Sequence, residues 1–179
     1  MNRVAVVTGA ASGIGRASAQ AFARRGDAVV VADVDEAGGE ETVALIAAEG
    51  GEAAFARVDV TRDEDVAGMV AFAQERYGRL DYALNNAGHG GPPAYTADYE
   101  RADWDRLVEL NLTGTWLCLK HEIPAMLAGG GGAIVNTAST FGLVAVPGMC
   151  AYVATKHAVV GLTKAAALEY SAQGVRVNA

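Results

Sequence analysis

With 179 residues, 51% of them apolar and 20% charged, the chain has the composition of one globular domain with a sizeable core, and it is too short for two ordinary ones. A formal net charge of -7 argues against a nucleic-acid or anionic-membrane surface, because both select basic patches. Two distant cysteines, Cys118 and Cys150, have neither Cys-x-x-Cys nor metal-ligand spacing, so the chain reads as a cytoplasmic protein with reduced thiols and no metal centre.

In chain order, short β-rich runs alternate with helical stretches. Residues 4–7 form an apolar, β-branched first strand, and glycine-rich residues lead from it into a helix at 14–25. A strand at 28–32, a helix at 36–49 closed by Gly50 and Gly51, and a strand at 53–58 follow. An amphipathic helix at 62–77 ends at Gly78, and 80–84 is the fourth strand. After a loop rich in Gly and Pro comes a long helix at 104–119, extendable toward 127, and then a fifth strand at 133–137. A helix at 152–172 and the start of a sixth strand at 175–177 complete the chain. No charged residue occurs from 123 to 155, but Gly129 to Gly132, Asn136, Ser139 and Pro147 interrupt that stretch. It therefore lacks the run of about 18 apolar residues that a membrane span needs.

The strands are nearly continuous apolar runs, as expected where helices cover both faces of a parallel sheet. The βαβαβ repetition predicts a doubly wound α/β domain over 1–179, with its ligand site at the carboxyl ends of the strands. The turn Thr8-Gly9-Ala10-Ala11-Ser12-Gly13-Ile14-Gly15 joins the first strand to the first helix. Glycines there let the backbone approach a pyrophosphate, and the helix start offers unpaired N–H groups and partial positive charge. The spacing departs from Gly-x-Gly-x-x-Gly: Gly13 and Gly15 fit, but Ser18 stands at the third glycine. Asp33 ends the second strand, where an acid can accept hydrogen bonds from adenosine ribose hydroxyls and repel a 2′-phosphate. Neither Ser12 nor Val34 supplies a compensating cation, so NAD is favoured over NADP. Asp35 and Glu36 read as helix caps, and Arg16 as a solvated helix residue more readily than as a phosphate ligand.

Tyr152-Val153-Ala154-Thr155-Lys156 puts a phenol and an ammonium one helical turn apart on one face. A phenol is a poor base at neutral pH, and a neighbouring positive charge favours its ionised form. Ser139 leaves the fifth strand and Asn85-Asn86-Ala87-Gly88 leaves the fourth, at the end of the sheet where ligands bind. Asn111 interrupts an apolar helical stretch, where a buried amide needs partners. His89, Thr140, Phe141, Met149 and Cys150 flank this region and are candidate pocket residues; Cys150 has no visible base to activate it.

The ordered set Thr8-Gly-x-x-x-Gly13-x-Gly15, Asp59, Asn85-Asn-Ala-Gly88, Asn111, Ser139 and Tyr152-x-x-x-Lys156 resembles the short-chain dehydrogenase/reductases over the whole chain. The resemblance implies a Rossmann-type fold and an NAD-dependent oxidoreductase acting on a secondary alcohol or ketone, with Tyr152 as general acid and base. It implies that Lys156 assists Tyr152 and binds the nicotinamide ribose, that Ser139 polarises the substrate oxygen, and that Asn111 anchors a proton-relaying water. The cofactor would be bordered by Gly9, Ser12, Gly13, Ile14, Gly15, Asp33, Val34, Asp59, Val60, Asn86, Ala87 and Gly88, together with Tyr152 and Lys156. Sugar, cyclic alcohol, steroid and acyl thioester substrates all stay open. The family's usual length implies a further segment past Ala179, carrying a last strand and a substrate lid. Without it, an exposed edge at the fifth strand and weak or no turnover are expected. A homodimer or homotetramer is expected through the helices at 104–119 and 152–171, which are apolar around much of their circumference. Two rivals remain: a nucleotide-sensing protein on the same fold and a non-catalytic fragment.

Overall fold

Runs of small and β-branched residues form six parallel strands: β1 (Val4–Thr8), β2 (Ala28–Asp33), β3 (Glu52–Arg57), β4 (Tyr82–Asn85), β5 (Gly132–Asn136) and β6 (Val175–Asn178). In this computed structural model, which describes residues 3–179, they lie in the order β3-β2-β1-β4-β5-β6. The chain thus winds outward from β1 in one direction, returns, and winds outward in the other. The order reverses between β1 and β4, and the crevice at that switch point is where a ligand binds in such sheets.

Helices α1 (Gly13–Arg24), α2 (Glu36–Ala48), α3 (Asp63–Tyr77), α4 (Arg101–Val108), α5 (Gly114–Ala128) and α6 (Cys150–Tyr170) provide the crossovers. Two apolar layers fix the sheet. Val7, Val29 and Val31 pack with Ala19, Ala23 and Ile46 beneath α1 and α2. On the other face Val4, Val6, Val30 and Ile134 pack with Val66, Met69, Leu119 and Met126 of α3 and α5. Asp35 caps α2 by accepting from Gly38 N at 3.2 Å, as its sequence position predicts. Gly78 ends α3 in the left-handed conformation, φ 82°.

Three expectations change. The helix predicted at 104–119 is divided: α4 and α5 are joined by a π-helical turn, Glu109–Thr113, with Asn111 buried inside it. Hydrophobic periodicity cannot reveal one extra residue in a turn. Second, both-sided burial holds for β1 and β2 but not for β3, β4, β5 and β6, where buried positions are interspersed with half-buried or exposed ones. Val135 of β5 is 44% exposed although its neighbour Ile134 is fully buried. Third, β5 does not form the sheet edge: Gly132 to Val135 pair with Val175 to Asn178, so the edge lies at β6.

Candidate active site

The exits of β1 and β4 are spliced by one side chain. Thr8 Oγ1 accepts from Asn86 N at 2.9 Å and Ala87 N at 3.1 Å, which fixes the two loops flanking the switch point. Beyond Thr8 the chain turns through Gly9 (φ 65°) and Gly13 (φ 51°), conformations that disfavour any residue with a Cβ. Gly15 serves another purpose. A Cβ there would lie 2.0 Å from Gly9 O, so the first turn of α1 rests directly on the backbone of the loop. Ser12 caps α1 by position with no side-chain hydrogen bond, leaving its hydroxyl free beside the N–H groups of the helix start.

Arg16 neither reaches toward a phosphate nor stands in solvent. Its guanidinium donates to Ala11 O (Nε, 3.1 Å) and Thr42 Oγ1 (3.0 Å) and pairs with Glu41 at 2.6 Å, bracing the loop from behind. Asp33 also holds the loop. One carboxylate oxygen accepts from Ala11 N at 2.9 Å and the other from Asp35 N at 3.0 Å. Each oxygen keeps a second acceptor site for a ligand. Asp59 is oriented at the exit of β3 by Thr61, whose N and Oγ1 donate to it at 3.0 and 2.7 Å.

On the opposite wall, Lys156 is only 5% exposed and its Nζ donates to Thr137 O at 2.6 Å. Burial lowers its affinity for a proton. The same Nζ lies 5.6 Å from the centroid of the Tyr152 ring, and that ring meets Phe141 edge-on at 6.3 Å. Asn111 is fully satisfied within the protein. Its amide donates to His89 O at 2.9 Å and Thr155 Oγ1 at 3.3 Å, and its Oδ1 accepts from His89 N at 3.1 Å. A Cβ on Gly88 would lie 2.7 Å from Asn111 Oδ1 and 3.9 Å from Lys156 Nζ, so only glycine leaves space between the two. Ser139 sits at the start of the short helical turn Thr140–Gly142, with its Oγ accepting from Phe141 N at 3.1 Å.

These walls enclose a cavity of about 470 Å3. Of the residues predicted from sequence, Gly9, Ser12, Gly13, Ile14, Asp33, Val34, Asp59, Val60, Asn86, Ala87, Gly88, Tyr152 and Lys156 line it. Gly15 and Asn111 stand behind the wall, and Ser139 borders an adjoining cavity with Leu143, Val160 and Asn178. Val58, Leu110, Gly90 and Thr137 line the main cavity without having been singled out, and His89, named only as a flanking residue, joins them. Thr137 contributes a backbone carbonyl, a role that side-chain chemistry in a sequence does not disclose. Thr8 and Thr42 likewise act only once folding brings them to the loop. Among the described residues no cluster of His, Cys, Asp and Glu could hold a metal, and no helix is long and apolar enough to cross a membrane.

A family profile described as short chain dehydrogenase matches residues 3–179. The chain is 44% identical over 177 residues to cyclohexanol dehydrogenase of Acinetobacter sp. (strain SE19), spanning 99% of this chain and 70% of that protein. It is 48% identical over 179 residues to an A-factor type gamma-butyrolactone 1′-reductase of Streptomyces virginiae, with 99% and 70% covered. Among solved structures, that of NAD+-bound xylitol dehydrogenase superposes with a TM-score of 0.96 at 37% identity, over 98% of this chain and 68% of that one.

Proposed function

The chain belongs to the short-chain dehydrogenase family, and from that premise we propose that it holds the NAD(H)-binding and proton-transfer parts of an enzyme interconverting a secondary alcohol and a ketone. One observation carries this reading: a single cavity has the glycine turn and Asp33 at one end and Tyr152 with Lys156 at the other. The residues suit a dinucleotide. Gly9 and Gly13 keep side chains out of the turn, the start of α1 offers N–H groups to a pyrophosphate, and Asp33 offers acceptors to ribose hydroxyls. The negative charge of Asp33 and the absence of a cation at Val34 favour NAD over NADP. Asp59 and Val60 would border the adenine, and Asn86 to Gly88 the path between the two ends.

When bound, the nicotinamide gives or takes the hydride. Tyr152 then donates a proton to the ketone oxygen in reduction and accepts one from the alcohol in oxidation. Lys156, close to the ring and anchored on Thr137 O, stabilises negative charge developing on the phenol oxygen. Ser139 would orient the substrate oxygen. Asn111 holds the His89 backbone in place and keeps the space at Gly88 in which a proton-relaying water would stand. The names of the relatives make cyclic secondary alcohols the first substrates to try. Exposed Trp104, Trp116 and Leu168 on α4, α5 and α6 support a homodimer or homotetramer formed through those helices.

The test is cyclohexanol-dependent reduction of NAD+ and NADP+ by the protein at the full length of its relatives, beside fluorescence titration of NADH and NADPH. Tyr152→Phe should lower turnover by about 10²–10⁴-fold and leave NADH affinity within about threefold. Tighter binding of NADPH than NADH would overturn the cofactor assignment. An undiminished rate in Tyr152→Phe would overturn the role of Tyr152.

A further inference from the structure

A buried polar chain lies just behind the cavity and outside the proposed mechanism. Asn85, the last residue of β4, donates from Nδ2 to Glu122 Oε2 of α5 and to Asn136 Oδ1 of β5, both at 3.0 Å. Asn136 Nδ2 donates to Thr163 Oγ1 of α6 at 2.9 Å, and Thr163 Oγ1 donates to Val159 O at 2.7 Å. Glu122 and Asn136 are fully buried. The hydrogen bonds all run one way, from Asn85 to Val159, so the orientation of both amides is fixed. Turning the Asn85 amide over would set its oxygen against Asn136 Oδ1.

Two atoms in this chain lack partners: Glu122 Oε1 and Asn85 Oδ1 are buried without a hydrogen bond. Both are acceptors on groups already bonded to each other. A single proton on Glu122 would satisfy both at once, with Oε1–H donating to Oδ1 while Nδ2–H donates to Oε2. We propose that Glu122 is a neutral carboxylic acid in the folded protein, and that its two-point acid–amide pair with Asn85 is a positioning device for the active-site walls. The placement fits that role. Asn85 immediately precedes Asn86, Asn136 immediately precedes Thr137, and Thr163 lies two turns along α6 from Lys156; Asn86, Thr137 and Lys156 all line the cavity. One proton therefore ties together the exits of β4 and β5 and the helix that carries Tyr152.

No opposing charge competes for Glu122 among the described residues. Cys118, one turn earlier on α5, is itself buried with its thiol pushed well up. Lys120 and His121 point outward to Asp63 of α3, at 2.5 and 2.9 Å. On α6, Lys156 is committed to Thr137 O and Lys164 is exposed, and Arg176 of β6 is exposed. The phenols of Tyr77 and Tyr170 border the same apolar cluster without bonding to Glu122. Burial accordingly raises the Glu122 carboxyl from 4.5 to about 7, opposed in part by its bond from Asn85.

The sign follows from linkage. Between pH 4.5 and 7 the folded protein holds a proton that the unfolded chain has released, so the stabilisation is complete below that window and is lost as pH rises through it. The inference needs only the folded chain, so its test is separate from that of the dehydrogenase reading. Urea unfolding of wild type and Glu122→Gln is compared from pH 4 to 8. Gln supplies the same two-point pair without a titrating proton. The wild-type unfolding constant should rise about tenfold per pH unit relative to Glu122→Gln between pH 5 and 7, and Glu122→Ala should be weakened at every pH. In parallel, NMR of glutamate labelled at the side-chain carboxyl should show one signal still protonated at pH 6. Every other described glutamate is exposed, so that signal is self-assigning. A pH-independent difference between wild type and Glu122→Gln would overturn the proposal. If Glu122→Gln does not fold, the NMR signal decides alone: protonated at pH 6 upholds the proposal, ionised overturns it.

Discussion

The two halves of the sheet are built from similar sequence but live in different surroundings. β1 and β2 are sealed on one face by α1 and α2 and on the other by α3, and nearly every residue in them is buried. β4, β5 and β6 are sealed on one face by α5 and α6. Their other face carries Tyr82, Leu84, Ala133 and Val135 along an apolar groove of about 320 Å3 beside Phe22 and Arg25. The contrast teaches that apolar composition sets what a strand is able to bury, and that tertiary cover sets what it does bury. It also divides the labour: the doubly covered half supplies the glycine turn, while the singly covered half carries Tyr152, Lys156 and the Glu122 chain.

Substitutions can break or sharpen this comparison. The largest effect is expected at Gly15→Ala, where a methyl would be driven into Gly9 O and the Asn86 amide. A loss of about 3 kcal/mol or more is expected, at the upper end for overpacking, and NADH titration should show binding lost with it. Next comes Val30→Ala in β2, which removes two methylene equivalents from a site with no exposure. It should cost about 2–3 kcal/mol in urea unfolding, counting transfer and cavity together. The identical change at Val135 in β5 should shift stability by no more than about 0.5 kcal/mol. Equal losses at Val30 and Val135 would mean that the bare face is covered in solution, and sedimentation of the same samples would show whether another copy covers it.

Much of this was legible in the chain itself. The β-branched runs and the glycine turn pointed to the parallel sheet and one end of the cavity, because each depends on local spacing, and the resemblance carried by the ordered motifs implied most of the remaining wall. What escaped depends on contacts between distant segments. Arg16 looked like a solvated helix residue, yet Thr42 and Glu41 from α2 draw it behind the turn. Glu122 was not singled out: it follows Lys120 and His121 directly in sequence, but it points into the sheet toward Asn85. The π turn around Asn111 escaped because one extra residue leaves apolar periodicity almost unchanged. Thr137 escaped because only its carbonyl is used.

The double engagement of Asp33 limits how the cofactor site can drift under selection. The carboxylate that would face a ribose also accepts from Ala11 N and so keeps the glycine turn in shape. A change to Ala or Gly that made room for a 2′-phosphate would at the same stroke release the glycine turn. Asparagine removes the charge and keeps the bond to Ala11 N through its Oδ1, but its Nδ2 then faces Asp35 N and the second bond is lost. On the proposed reading, coenzyme preference and loop order thus hang on one side chain, and a substitution at Asp33 that changes the first also disturbs the second.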